Sequence, residues 1–335
     1  MSKNLLFNNS NRLYRILVRL NSYQKLTAHA ISHGISLKNL AISQFPYLFK
    51  DSLEPPIVSL EFTNYCNLKC LYCTSSYEKR NKGFMSDEVF KKVFDSLKTM
   101  KPTRVQIVGN GESTIHPKFD KYISELSKIK HYVSIVTNGN FIKEDIAEKL
   151  VRSNIKLIDF SIDAGGKEAY ETSRKNGNYD KVIENLLKLK AAKKKYYSDC
   201  VINIRIMVRP SQMGSYKKEM EFWKNYADRV MPQFLVHINN TEYSHDLFKP
   251  IQKNQNSFPK CSLPFKHIEV RHNGDVLLCY HSAYQLKNEA GLKIDNVLNK
   301  SITELWNSNI MKQYRNAHRT RKEKEMPICL GCSGC

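Results

Sequence analysis

The sequence predicts an α/β protein, a (β/α)6 partial barrel of the TIM type with a small C-terminal unit of one β-hairpin plus a helix. Three observations lead there. Six β-rich runs alternate with helical runs between Pro56 and about Ile238, the pattern of a parallel sheet with its helices outside. The first of those runs, Ile57–Thr63, leads into the tight cysteine loop Cys66-Asn67-Leu68-Lys69-Cys70-Leu71-Tyr72-Cys73, and ligands of parallel sheets gather at the carboxyl ends of the strands. Past residue 240 the alternation stops and a second group of cysteines follows.

Taken in order, residues 1–55 read as a helical extension. Leu13, Ile16, Leu17 and Leu20 recur at helical spacing with Arg12, Arg15 and Arg19 on other faces. Glu54-Pro55-Pro56 separates the segment from the core. It reads as a cap on the domain that follows; a second reading is a basic amphipathic helix in peripheral contact with a membrane. Residues 56–240 form the core. Its strands are expected at Ile57–Thr63, Arg104–Gly109, Tyr132–Thr137, Lys156–Asp163, Val201–Val208 and Gln233–Ile238. Its helices are expected at Asp87–Met100, Pro117–Ile129, Lys143–Ser153, Tyr179–Lys195 and Ser215–Asp228. Residues 241–335 form the C-terminal unit. His267–Val270 and Val276–Cys279 flank a turn at His272-Asn273-Gly274-Asp275 and read as a hairpin. Ser301 with Glu304 three residues on is a capping box opening a helix to about His318.

Composition narrows the class. The chain has 335 residues, 41% of them hydrophobic, enough for a packed core and against wholesale disorder. No apolar run is long enough to span a bilayer and no signal-type segment follows the first residues, so the expected compartment is the cytoplasm. Nine cysteines, an odd number with C-x2-C spacings, read as metal or cluster ligands instead of a disulfide framework. The formal charge of +21 reads either as the footprint of an anionic partner or as solvated lysine-rich helix faces. A non-catalytic nucleic-acid-binding protein is the reading from another class, marked by steep salt dependence.

The chemistry is carried by the strand ends. Three thiols in a C-x3-C-x2-C loop are one short of a closed tetrahedral site, leaving a position open on the metal. A structural zinc knuckle would need a fourth ligand nearby, yet His33 and His116 are each more than about 30 residues away. The second strand ends in Gly109-Asn110-Gly111-Glu112-Ser113, the third in Val136-Thr137-Asn138-Gly139 and the fourth in Ser161-Ile162-Asp163, with Arg174 a short way on. Arg205 and Arg209, near the end of the fifth, would face the cavity and hold an anionic substrate.

The cysteine loop, with Tyr72 just ahead of Cys73, resembles the signature of the radical S-adenosylmethionine (SAM) superfamily. The resemblance implies that Cys66, Cys70 and Cys73 hold a [4Fe–4S] cluster whose fourth iron binds SAM. Gly111 and Glu112 lie in a stretch similar to the family's Gly-Gly-Glu-Pro motif, which receives the SAM amino group; Asn110 and Ser113 depart from it. By the same resemblance Tyr72 and Asn138 lie beside SAM, Ser161 and Asp163 contact its ribose, and Arg174 pairs with its carboxylate. The C-terminal pattern of Cys261, Gly274 and Cys279, then Cys329-x2-Cys332 after Leu305-Trp306-Asn307, resembles a SPASM/twitch extension. It implies an auxiliary [4Fe–4S] cluster on Cys261, Cys279, Cys329 and Cys332, while a zinc site of four thiolates is the other reading of this set. Cys335 has no assigned role, and Cys200 reads as a small core residue. The resemblance covers about residues 56–335.

The function so implied is reductive cleavage of SAM to a 5′-deoxyadenosyl radical and hydrogen abstraction from a substrate, with flavodoxin or ferredoxin as electron donor. With the auxiliary cluster as electron acceptor, the leading expectation is two-electron oxidation of a sugar or cyclitol alcohol. The alternative is a maturase that forms thioether or C–C crosslinks in a peptide or protein; RNA modification ranks below both. The partner is a small molecule or a peptide.

Overall fold

The computed structural model describes residues 32–35, 52–73, 75, 80–140, 144–153, 155–209, 212–234, 261–279, 293–322, 325–326 and 329. The expected helix around Leu13–Leu20 lies outside them. In chain order the core holds β1 (Ile57–Leu60), a short β2 (Lys69–Cys70), α1 (Asp87–Thr99), β3 (Arg104–Ile107), α2 (Phe119–Leu126), β4 (Tyr132–Thr137), α3 (Glu144–Arg152) and β5 (Ile155–Asp163). It continues through α4 (Gly166–Ser173), a short β6 (Arg174–Lys175), α5 (Tyr179–Lys195), β7 (Val201–Val208), α6 (Tyr216–Trp223) and β8 (Arg229–Phe234). The C-terminal part holds α7 (Leu263–Lys266), β9 (His267–Val270), β10 (Asp275–Leu277), β11 (Lys293–Asn296), α8 (Ile302–Trp306) and α9 (Asn309–Thr320).

One nine-stranded sheet runs β11-β10-β9-β1-β3-β4-β5-β7-β8. From β9 to β8 every pairing is parallel, and β10 and β11 are added antiparallel. This is the expected α/β partial barrel. The C-terminal hairpin also continues the core sheet: β9 lies beside β1, with Ile57 opposite His267 and Leu60 opposite Val270.

Strand alternation sorts the side chains. Val58 and Leu60 of β1, Ile158, Phe160 and Ile162 of β5, and Ile202, Ile204, Ile206 and Val208 of β7 pack into the main core with the helices. Their neighbours, among them Ser59, Asp159, Ser161, Asn203, Arg205 and Met207, take the other face, the inside of the barrel. Helix α1 begins where Ser86 accepts a hydrogen bond from the Val89 amide, with Asp87 and Glu88 in its first turn complementing the helix dipole. It buries Val89, Phe90, Val93 and Leu97. Phe90 stacks on Tyr122 of α2 at 3.9 Å between centroids. Residues 32–35 touch the barrel at the amino ends of its strands: Ile35 is buried with Tyr132 and Leu157, and His33 is 2.6 Å from Asp199.

Several boundaries differ from the sequence expectation. β1 stops at Leu60, and Thr63 makes only an isolated bridge to Phe84. β8 starts at Arg229, ahead of the expected Gln233, because Arg229 pairs with Asn203; residues 235–238 lie outside the described set. The helix expected over Ser301–His318 is two helices. Asn307 closes α8, donating through Nδ2 to the Thr303 and Leu53 carbonyls, and Ser308 opens α9. Helix α4 was not expected; it starts from two glycines with left-handed φ, Gly165 at 103° and Gly166 at 75°.

Candidate functional site

The cysteine loop leaves the carboxyl end of β1. The Cys66, Cys70 and Cys73 thiols are unbridged and near enough to act on one another's titration. The loop is closed by the Cys73 amide donating to the Cys70 carbonyl at 3.1 Å, and the Leu68 amide points at the Cys66 sulfur at 3.4 Å. Burial pushes the Cys66 thiol up to about 11 and the Cys70 thiol to about 12. Such thiols need a cation to become thiolate ligands. Among the described residues no three ligand side chains form a mononuclear metal site; a cluster instead spreads its thiolates over separate irons.

The strand-end residues form two groups around this loop. In one, Tyr72 donates to the Asp163 carboxylate at 2.5 Å, Ser173 also donates to it, and the Arg174 Nε donates to it at 2.8 Å. Burial keeps the Tyr72 phenol protonated, so it is the donor. The Arg174 guanidinium lies 5.7 Å from the Tyr72 and Tyr170 ring centroids, and β6 pairs Arg174 with Cys70. In the other group Glu112 is fully buried. Its Oε1 accepts from the Thr114 amide, the Thr114 hydroxyl and the Thr137 hydroxyl, and its Oε2 accepts from the Asn138 amide at 2.7 Å. Burial pushes the Glu112 carboxyl up, against those hydrogen bonds. The Asn138 Nδ2 donates to Asn67 Oδ1 at 2.8 Å and lies 3.8 Å from the Cys66 sulfur. Ser161 is half-buried on the barrel face of β5, opposite Arg205. Gly111 allows a close approach to the chain itself: a Cβ there would lie 2.3 Å from the Tyr65 carbonyl and 2.4 Å from that of Thr63.

Three of the four cysteines expected to hold the auxiliary cluster come together. Cys261, Cys279 and Cys329 are buried, and all three act on the Tyr314 phenol, which hydrogen-bonds Cys279. His318, one turn along α9, has its Nε2 3.4 Å from the Cys329 sulfur. Cys332 and Cys335 lie outside the described residues. Tyr314 and His318 escaped the sequence reading; their i, i+4 spacing on a helix just ahead of Cys329 was the available signal.

A buried carboxylate that joins the segment ahead of Cys66 to the one between Cys261 and Cys279 was also missed. Glu61 accepts both Arg80 Nη groups at 3.1 and 3.0 Å, Arg271 Nη1 at 2.8 Å, His272 Nδ1 at 3.0 Å and the Asn110 amide at 3.1 Å. Burial alone would raise its carboxyl, but the His272 hydrogen bond and the Arg271 and Arg80 charges hold it well below the usual range. An acid inside the apolar run Ile57–Thr63 was the signal for it.

Comparison with known proteins bears on this arrangement. The model of the radical SAM superfamily matches residues 60–212, and that of the SPASM iron–sulfur cluster-binding domain matches residues 261–333. The chain belongs to the radical SAM superfamily. It carries a SPASM segment, and its cofactors are SAM, a SAM-binding [4Fe–4S] cluster and an auxiliary [4Fe–4S] cluster. Among relatives of this radical SAM chain, the mycofactocin maturase MftC of Mycobacterium tuberculosis is 32% identical over 145 residues, 43% of this chain and 37% of that protein. The tungsten-containing aldehyde ferredoxin oxidoreductase cofactor-modifying protein of Pyrococcus furiosus is 30% identical over 105 residues, 31% of this chain and 30% of that protein. The chain thus spans well under half of the length of either. Among solved structures, anSMEcpe with bound SAM aligns with TM-score 0.60 at 19% identity, over 82% of this chain and 87% of that one. SuiB of Streptococcus suis bound to SAM gives 0.57 at 16%, over 84% and 73%. BtrN with SAM and 2-DOIA gives 0.53 at 18%, over 85% and 94%. At these identities they share the fold. No helix among the described residues is long and apolar enough to cross a membrane.

Proposed function

We propose that this chain is a peptide- or protein-modifying radical SAM enzyme. The observation that carries the reading is the 32% identity to a mycofactocin maturase across 145 residues. A neighbour of the same fold, SuiB, has been seen bound to its precursor peptide. The other reading, oxidation of a sugar or cyclitol alcohol, rests on the twitch-like set of Cys261, Cys279, Cys329 and Cys332 and on the fold shared with BtrN. The sequence relatives favour the maturase.

In this reading Cys66, Cys70 and Cys73 hold the SAM-binding cluster, and Cys261, Cys279, Cys329 and Cys332 the auxiliary one. Together the reduced first cluster and SAM supply a radical able to take hydrogen from an unactivated carbon. The chain does the rest. Glu112 offers the lone pair left at Oε2 to the SAM ammonium, with Gly111 fixing its loop. Asp163, oriented by Tyr72, Ser173 and Arg174, and Ser161 beside it face the ribose. Asn138 braces the loop at Cys66. Arg174, held at Nε by Asp163, keeps its other nitrogens for the SAM carboxylate. These groups orient SAM and keep water from the reacting atoms. The domain division is 1–55, 56–240 and 241–335, with an electron donor of the flavodoxin or ferredoxin type.

The test is anaerobic turnover of the reconstituted protein with SAM and a reductant over two panels, peptides and alcohol-bearing carbohydrates. Mass spectrometry should find peptide that has lost hydrogen pairs, with 5′-deoxyadenosine formed alongside. Oxidised carbohydrate with untouched peptide would overturn the maturase reading.

A further inference from the structure

Of the two arginines expected from the sequence to hold an anionic substrate, one is a buried guanidinium at the mouth of the barrel that the proposed function does not use. Arg209 follows directly on β7. By strand alternation it shares the face of Arg205 and Met207, opposite the helix-packed Ile206 and Val208. Arg205, deeper in the barrel, is paired with Asp159 at 2.5 Å. Arg209 differs. It is 7% exposed, and among the described residues its side chain makes no ion pair and its Nε, like that of Arg205, has no hydrogen-bond partner.

Arg209 is tied through Gln212 to the end of β5. The Arg209 amide donates to Gln212 Oε1 at 3.0 Å, the Gln212 amide donates back to the Arg209 carbonyl at 2.9 Å, and Gln212 Nε2 donates to the Ala164 carbonyl. Ala164 follows Asp163, which holds Tyr72 of the cysteine loop. The residue therefore sits next to the strand that carries Asp163, at the ligand-binding end of the sheet.

A charge removed from water without a counter-charge is costly, and proteins keep one where a ligand supplies the partner. A guanidinium presents a planar fork of donors that suits a carboxylate. We propose that Arg209 is a carboxylate-binding residue of the substrate site, taking an acidic side chain or C-terminal carboxylate of the peptide. Naming the carrier a peptide rests on the proposed function; the carboxylate chemistry does not. The methionyl carboxylate of SAM offers the same chemistry, so the test separates the two.

The experiment compares anaerobically reconstituted full-length wild type, Arg209→Gln and Arg209→Lys. It measures melting temperature, SAM affinity, and affinity for N-acetylglutamate against N-acetylglutamine. A ligand-binding arginine and a structural one have opposite signatures in the melting temperature. Removing an uncompensated buried charge leaves R209Q melting at or above wild type. Its SAM affinity stays within about twofold, while N-acetylglutamate binding weakens at least about tenfold and N-acetylglutamine does not discriminate the variants. R209K retains part of the binding. An R209Q that melts well below wild type or does not fold makes the arginine structural and overturns the proposal. A SAM affinity lowered tenfold with no change for N-acetylglutamate assigns the guanidinium to SAM and also overturns it. N-acetylglutamate held through Arg209 by a protein that modifies no peptide upholds the carboxylate site and removes only the maturase reading.

Discussion

Glu61 shows how one side chain can serve two cysteine sets. It is five residues ahead of Cys66 and takes Arg80 from beyond the loop and Arg271 and His272 from between Cys261 and Cys279. The pair with Arg271 is dry: the Glu61 and Arg271 side chains are 0% and 1% exposed. Glu61→Gln keeps the volume but leaves the part-buried Arg80 and the buried Arg271 facing a neutral amide, with Arg271 keeping Glu269 at 3.1 Å. The expected loss is about 3–5 kcal/mol, read by anaerobic urea unfolding; a change of a few tenths would show that the network carries no stability. His267 gives a pH signature. It is buried, bonded to the Ser59 hydroxyl at 2.7 Å, and burial lowers it to about 3. The unfolded chain, with an ordinary histidine near 6.5, takes up a proton that the folded chain refuses. Stability therefore falls as pH drops from about 6.5 toward 3. Between pH 7.5 and 5.5 this group removes about 1.4 kcal/mol, and His267→Asn should flatten that part of the profile.

At the level of elements, much was legible. Tyr132–Thr137, Val201–Val208 and Tyr179–Lys195 came out of periodicity residue for residue, because each is a long run whose partners agree with its local pattern. The cysteine positions were legible for another reason: metal chemistry dictates spacing. What stayed hidden was set by tertiary contact. Asn307 splits α8 from α9 through a hydrogen bond to Leu53, far away in sequence. Glu61, Arg80 and Arg271 look like separate charges until β9 lies beside β1. Gly111 read as a glycine of the SAM site, and what stayed hidden is that its absent Cβ makes room for the Tyr65 and Thr63 carbonyls. Gly111→Ala should therefore push the β3 loop away from the cysteine loop. The expected outcome is loss of iron from the first site with the secondary structure kept, measured by iron and sulfide counts beside circular dichroism. Full iron content with weakened SAM affinity would return the glycine to its sequence-based role.

For the molecule as a whole, the question is whether the SPASM segment is a separate body. The contacts argue that it is coupled to the core. β9 covers the edge of β1 in parallel register, Glu61 ties it by charge, and the α8 amide of Ile302 donates to Ser96 of α1 at 2.9 Å. The Trp306 indole, fully buried, donates to the Ser52 carbonyl at 2.7 Å, with Arg315 4.8 Å from its ring centroid. Removing the segment would uncover a strand edge, a buried carboxylate and an indole pocket together, so little can open without the rest. The amides of Ile268 in β9 and Val58 in β1 should then exchange with the same free energy and the same denaturant dependence. If β9 exchanged several kcal/mol more easily than β1, the segment would be an independent unit. The auxiliary cluster would then hang from the barrel on a hinge, free to change its distance from the SAM site.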